Sequence, residues 1–176
     1  MSKFQHLIRL SEKEQEMKYA AGVCIYCPNT GRFLLQKRGP RIEDPGQHDW
    51  FGGGSDPGED LLTTGVRELA EEGGIFAQKE SLYPLVRFGY HPEQGLGGYH
   101  IWLLVVDEEF PAVPNWDGDT HDEVEDFDWV GPRDLGDIKL HERVSSLFNS
   151  PEFRGTMKKA VEDRINSGHV GKLTQG

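Results

Sequence analysis

The chain has 176 residues, 36% of them hydrophobic, with four Trp and nine Phe, which is apolar material for one globular domain with its own core. A formal charge of −11, from 30 acidic against 19 basic residues, makes the bulk field repel anionic polymers, so long nucleic acid is not an expected partner. No run approaches the roughly 18 apolar residues of a bilayer span, and Met1 to Tyr19 is charged rather than the apolar block of a secretory leader, so the expectation is a soluble, cytoplasmic protein with no membrane partner.

In chain order, residues 1–18 read as a polar lead-in of helical composition without a clear apolar face. Tyr19 to Cys27 and Arg32 to Lys37 are β-prone runs separated by Pro28-Asn29-Thr30-Gly31, a turn cluster that predicts a hairpin. Cys24 and Cys27 have C-x-x-C spacing, but no second pair exists to complete a zinc site, and they are read as buried strand thiols. Arg38 to His48 is an irregular loop rich in Gly and Pro, placed where a substrate loop could sit. The run Trp50-Phe51-Gly52-Gly53-Gly54 and a loop from Ser55 to Gly58 then lead into a helix predicted from Glu59 to Gly73, stopped by Gly73-Gly74. Leu82 to Tyr90 and Tyr99 to Val106 are strands joined by a Gly-rich segment. An acidic stretch, Asp117 to Asp128, precedes a short strand at Trp129-Val130, and helices are expected around His141 to Phe148 and Pro151 to Asn166. With no internal repeat and no linker, residues 1–176 are expected to form a single domain, 141–176 being its C-terminal helical segment.

On the predicted helix, Leu62, Val66 and Leu69 make an apolar stripe that can face a sheet. Glu68, Glu71 and Glu72 fall on the other side, where spacings of three and four residues bring their carboxylates within reach of a common point. Such a cluster repels itself unless cations hold it, and hard oxygen donors suit Mg²⁺ or Mn²⁺, ions that also bridge phosphate oxygens. Arg67 precedes Glu71 by four residues and can orient it, and the glycine run before the helix lets backbone approach a metal or a phosphate.

From Gly53 to Ile75 the chain reads G-GSDPG-E-DLLTTGV-R-E-L-A-E-E-G-G-I, which resembles the complete Nudix box, G-x5-E-x7-R-E-U-x-E-E-x-G-U with U a bulky aliphatic residue. Every fixed position matches. The resemblance implies an α/β fold, an α/β/α sandwich with a mixed sheet in which the box forms a loop-helix-loop. It implies a Nudix-type pyrophosphohydrolase that splits a phosphoanhydride bond of a small nucleotide-like diphosphate with metal-activated water. For matching positions it implies Glu68 and Glu72 as principal metal ligands, Glu71 as ligand or orienting partner, Gly52 as a carbonyl ligand, Arg67 as orienter and Glu59 as an outer-sphere or structural carboxylate. A later E-x5-W pattern of such proteins is matched by Glu123 and Trp129, making Glu123 a further ligand or the general base, with Glu125 the alternative.

Two departures from the usual pattern, Phe51 where Pro is frequent and Gly54 where Lys is frequent, bear on the substrate rather than on the carboxylates. With that Lys missing, Lys37 and Arg38 become the candidates for anchoring phosphate. Trp50, Tyr90, Trp102 and Trp116 are candidates for stacking a base, against the plainer reading that they are core. The C-terminal helices are candidates for covering the site or pairing two copies as a homodimer. The competing functions are a noncatalytic nucleotide-binding module of the same fold and an isopentenyl diphosphate isomerase-like enzyme, which needs a Cys at its site.

Overall fold

The computed structural model describes residues 18–111, 123–168 and 174–175. Residues 1–17 of the lead-in, Trp116, Asp122 and most of the extreme C-terminus lie outside the described residues, while Lys18, read as the lead-in's last residue, opens the first strand.

The central strand is β1 (Lys18–Cys27), apolar on both faces in its middle because both faces are covered. It turns through Pro28 to Gly31, with Gly31 at φ 70°, into antiparallel β2 (Arg32–Arg38), pairing Ile25 with Leu34 and Cys27 with Arg32. The first half of β1 takes a different antiparallel partner, β4 (Phe51–Gly54), from Ala20 opposite Gly54 to Val23 opposite Phe51. Beyond Leu34, β2 leaves β1 and pairs instead with β3 (His48–Asp49), which sets Gln36 opposite Asp49. The sheet therefore opens between β2–β3 on one side and β1–β4 on the other, and this opening positions the site.

On its other edge β1 runs parallel to β7 (Leu96–Val105), which forms a hairpin with β6 (Leu82–His91), while β8 (Val124–Val130) lies antiparallel along β2. The short β5 (Ile75–Phe76) pairs with β9 (Thr174–Gln175) apart from this mixed sheet. One face carries α1 (Leu61–Gly73) over a core of Val23, Ile25, Leu34, Phe51, Leu69 and Leu104. The opposite face carries α2 (Glu142–Asn149) and α3 (Pro151–Asn166) over Leu35, Trp50, Ile101, Leu103, Val144 and Phe153. This is the expected α/β/α sandwich, with Leu62, Val66 and Leu69 facing the sheet as their spacing predicts. Among the described residues no helix is long and apolar enough to cross a membrane.

Several elements differ from the sequence reading, among them β7, which begins at Leu96 within the segment read as a Gly-rich connection rather than at Tyr99. The box helix starts at Leu61 rather than Glu59, because the Asp60 carboxylate accepts from the Leu62 and Thr63 amides and caps it. The glycine run, to which the sequence reading assigned no element, is a strand paired with β1. The acidic segment before Trp129 is also strand from Val124 onward. Its buried residues, Val124, Phe127 and Val130, recur every third residue around a register shift at Lys37/Arg38, so the alternation that signals a strand is absent.

Candidate active site

The α1 helix lies over the sheet with Glu68 and Glu72 against the β4 glycines. Asp60 caps its start, and Gly74, in the left-handed region at φ 59°, closes its end by donating to Ala70 O. Between these caps Arg67 organises the box. Its Nε donates to Glu59 Oε1 at 3.1 Å, and its Nη2 donates to Glu59 Oε2 at 3.1 Å and to Gly54 O at 2.9 Å. Its Nη1 donates to Glu68 Oε1 at 2.9 Å and to Glu71 Oε2 at 3.0 Å. One guanidinium thus ties the loop, the strand and two helix carboxylates together, a planar fork that Lys cannot reproduce. Glu59 also accepts from the Asp56 amide and the Thr64 hydroxyl, and its contacts, with Arg67 foremost, lower its carboxyl pKa to about 2.

Glu68 and Glu72 lie against bare glycine backbone. A Cβ on Gly53 would stand 2.5 Å from Glu68 Oε1, so only glycine lets that carboxylate settle on β4. Gly52, at φ 152°, donates its amide to Glu72 Oε2 at 2.7 Å, and Gln36 Nε2 donates to the same oxygen at 3.2 Å. Glu72 is only 7% exposed, and burial, reinforced by the charges of Glu68 and Glu123, raises its pKa to about 8 against the pull of the Gly52 and Gln36 donors. Glu68, its side chain 13% exposed, is raised in the same direction, by burial first and then by Glu71 and Glu123 against the pull of Arg67. Glu71 is half exposed at the rim. The cluster therefore holds buried carboxylates in an environment short of positive charge, with oxygen donors only, which is the chemistry a hard divalent cation fits. Among the described residues, no three acidic, His or Cys side chains stand together as a ready-made ligand set.

The NUDIX domain family model matches residues 17–149. The chain belongs to this family. Members of it are in general pyrophosphohydrolases of nucleoside diphosphate derivatives, and this protein is an enzyme of that Nudix hydrolase class. Solved structures share its fold. An Ap4A hydrolase from C. elegans is 22% identical with a TM-score of 0.55, the match covering 81% of this chain and 98% of that one. MutT, from a study of the Aliivibrio salmonicida and Vibrio cholerae proteins, is 20% identical with a TM-score of 0.54, covering 81% and 98%. A MutT/nudix family protein from Enterococcus faecalis is 19% identical with a TM-score of 0.52; the match covers 73% of this chain and only 51% of that protein. No curated protein matches the chain.

Within the Nudix frame, the structure brings together Gly52, Arg67, Glu68, Glu71 and Glu72 around β4 and α1. Glu123 joins them from the start of β8: its charge is felt by both Glu68 and Glu72, and its carbonyl accepts from the Gly39 amide at 2.7 Å. Glu125 does not join them, being paired with Lys37 Nζ at 2.9 Å on an exposed edge. The expected phosphate anchors are thereby separated. Lys37 faces Glu125, whereas Arg38 turns to the buried Asp49 at 2.9 Å. Trp50 is wholly buried and Trp102 packs under the helix, so both are core, while Tyr90 is half exposed beneath the Arg87 guanidinium. Cys24 and Cys27 are buried; burial pushes the Cys24 thiol well up, and the Cys27 thiol donates to Asp107 O at 3.5 Å.

The sequence reading missed Gln36, Asp49, Tyr99 and Arg143. Gln36 was hidden because a buried amide in a strand leaves no spacing signature. Arg143 was hidden because its partner Asp49 is 94 residues away.

Proposed function

We propose that this Nudix protein hydrolyses a phosphoanhydride bond in a nucleoside diphosphate linked to another group, or in a nucleoside triphosphate, with Mg²⁺ or Mn²⁺ as cofactor. The observation that supports this best is the pair of carboxylates on the β4 glycines: the buried Glu72, held by the Gly52 amide, and the partly buried Glu68, seated where a Cβ on Gly53 would stand. Glu68, Glu72 and Glu71, with the Gly52 carbonyl, would hold the metal ions, and Glu123 would either complete that set or serve as the base. When bound, such ions neutralise phosphate oxygens and lower the pKa of water to the range where it attacks phosphorus.

The chain's own residues prepare that site. The Gly52 amide and Gln36 both donate to Glu72 Oε2, so Oε1 would be the oxygen offered to a cation. Arg67 likewise takes Glu68 Oε1 and leaves Oε2. Glu123, exposed on a loop end rather than clamped, is suited to accept the proton of the attacking water. Of the basic pair at the end of β2, Arg38 is better placed than Lys37 to hold substrate phosphate, because it lies beside the opening of the sheet.

The test is phosphate release, with added phosphatase to expose product, across nucleoside triphosphates, nucleoside diphosphate sugars and dinucleoside polyphosphates, with Mg²⁺, Mn²⁺ or EDTA. Turnover of one class that EDTA abolishes is the expected result. A folded protein that binds Mn²⁺ yet turns over none of them would favour a binding module instead.

A further inference from the structure

The opening between β2–β3 and β1–β4 has a cationic wall that the Nudix box does not supply. Asp49 is wholly buried there and accepts from Arg38 Nη1 at 2.9 Å, from Arg143 Nε at 3.0 Å and from Arg143 Nη2, with the Trp50 amide on Oδ1 at 2.9 Å. His141, the N-cap of α2, stands 3.9 Å from the same carboxylate and 3.6 Å from Asp44. A buried carboxylate needs one cation; here two guanidiniums share it, leaving a net positive charge.

Neither guanidinium is sealed in. The Arg143 side chain is 26% exposed and that of Arg38 13%, so Arg143 is the more open of the two. Arg143 also lies over the Tyr99 ring, 4.9 Å from its centroid, and the Tyr99 hydroxyl is buried with no hydrogen-bond partner. That hydroxyl is wedged against β4: a Cβ on Gly52 would be 2.7 Å from it, and Gly52 is the residue whose amide holds Glu72. Burial opposes the charge on Arg143, but Asp49, Tyr99 and Glu72 together favour it, which places its positive end within electrostatic reach of the carboxylate cluster.

We infer that Arg143, with Arg38, is the subsite for a second anionic group of the substrate, the phosphate that is not attacked. The inference rests on the proposed hydrolase reading and deepens it. A diphosphate engaged at Glu68 and Glu72 would present its other phosphate toward this wall, whose Arg143 charge interacts with Glu72, and a guanidinium already oriented by Asp49 and Tyr99 would lose little freedom in binding it. The substrate is then one that keeps at least two phosphates in line across the opening.

The experiment compares the full chain with Arg143→Gln and Arg143→Lys. Inorganic pyrophosphate binding is measured by calorimetry in EDTA, alongside Mn²⁺ affinity, melting temperature and steady-state kinetics on whichever substrate the panel above identifies. Arg38 still neutralises Asp49 in both variants. The expected result for Arg143→Gln is pyrophosphate affinity weaker by about tenfold or more and KM raised similarly, with kcat and Mn²⁺ affinity kept. Arg143→Lys recovers part of the loss. Unchanged pyrophosphate binding and KM with a lowered melting temperature would show that Arg143 only secures Asp49, and would overturn the inference. Should Arg143→Gln not fold, the double variant Asp49→Asn/Arg143→Gln removes both charges together and is read by the same two outcomes. Metal-dependent turnover indifferent to Arg143 would leave the hydrolase reading standing alone. Arg143-dependent pyrophosphate binding without any turnover would do the reverse.

Discussion

At the scale of single residues, the two carboxylates that matter most have opposite environments and opposite expected behaviour. Glu72 is buried, raised to about 8, and would offer its other oxygen to a cation. Glu72→Gln keeps the Gly52 and Gln36 contacts in shape but removes the carboxylate that a bound cation would ionise, so turnover should fall by about a hundredfold or more while the melting temperature holds or rises. Near-wild-type hydrolysis by a folded Glu72→Gln would sink the metal-ligand assignment. Glu59 is the reverse case, an ion-paired carboxylate whose pKa of about 2 lies below its ordinary value. A lowered folded-state pKa means that the unfolded chain binds the proton more readily. The Glu59–Arg67 contribution is therefore fully present above the ordinary carboxylate range and is lost as pH falls from about 4.5 toward about 2. Glu59→Gln should cost about 1.5–3 kcal/mol at neutral pH, and the variant's stability should decline less than wild type over that acid window. Urea unfolding at several pH values measures both; parallel curves for the two proteins would refute the pairing.

At the scale of elements, the junction of β4 with α1 carries the site, and its tolerance should be sharply uneven. Gly53→Ala puts a methyl group into the Glu68 carboxylate, the end of a side chain that can shift. The variant should fold, with weakened Mn²⁺ affinity in a titration. Gly52→Ala sets its methyl 2.2 Å from Ala21 O on the central strand, at a φ of 152° that suits glycine, and should cost folding stability itself. Equal effects of the two on melting temperature would contradict this reading. The sequence made α1 legible because a 3.6-residue period and a glycine stop agree with one another, while its start was misplaced because the Asp60 cap leaves no spacing signature of its own. It made β8 illegible because a bulge breaks the alternation, and it made the β4 pairing illegible because three glycines have no side chains from which to read a face. The box carboxylates were legible by local spacing. That Glu72 is buried, that Glu125 is taken by Lys37 and that Arg143 belongs to the opening depend on strands brought together from distant parts of the chain.

At the scale of the whole molecule, the sheet separates two cores, and each secures one side of the opening. The core under α1, centred on Leu69 and Phe51, fixes the carboxylates. The core under α2 and α3 fixes Arg143. It is built from an aromatic chain in which Phe148 stands 5.3 Å from Trp50, 5.0 Å from Phe33 and 6.2 Å from Phe153. Truncation in either core leaves a cavity that the sheet relaxes into only partly, at about 2–5 kcal/mol for Leu69→Ala and about 3–5 kcal/mol for Phe148→Ala. The kinetic consequences should part company. Leu69 neighbours Glu68 on the helix, so its loss should lower kcat and Mn²⁺ affinity. Phe148 lies on the helix whose first turn carries Arg143, so its loss should raise KM with kcat largely kept. Kinetics at a temperature where melts show both variants folded decides the matter. If both truncations lower kcat alike with KM unmoved, the two cores do not divide metal site from substrate site, and the sheet transmits disturbance as one body.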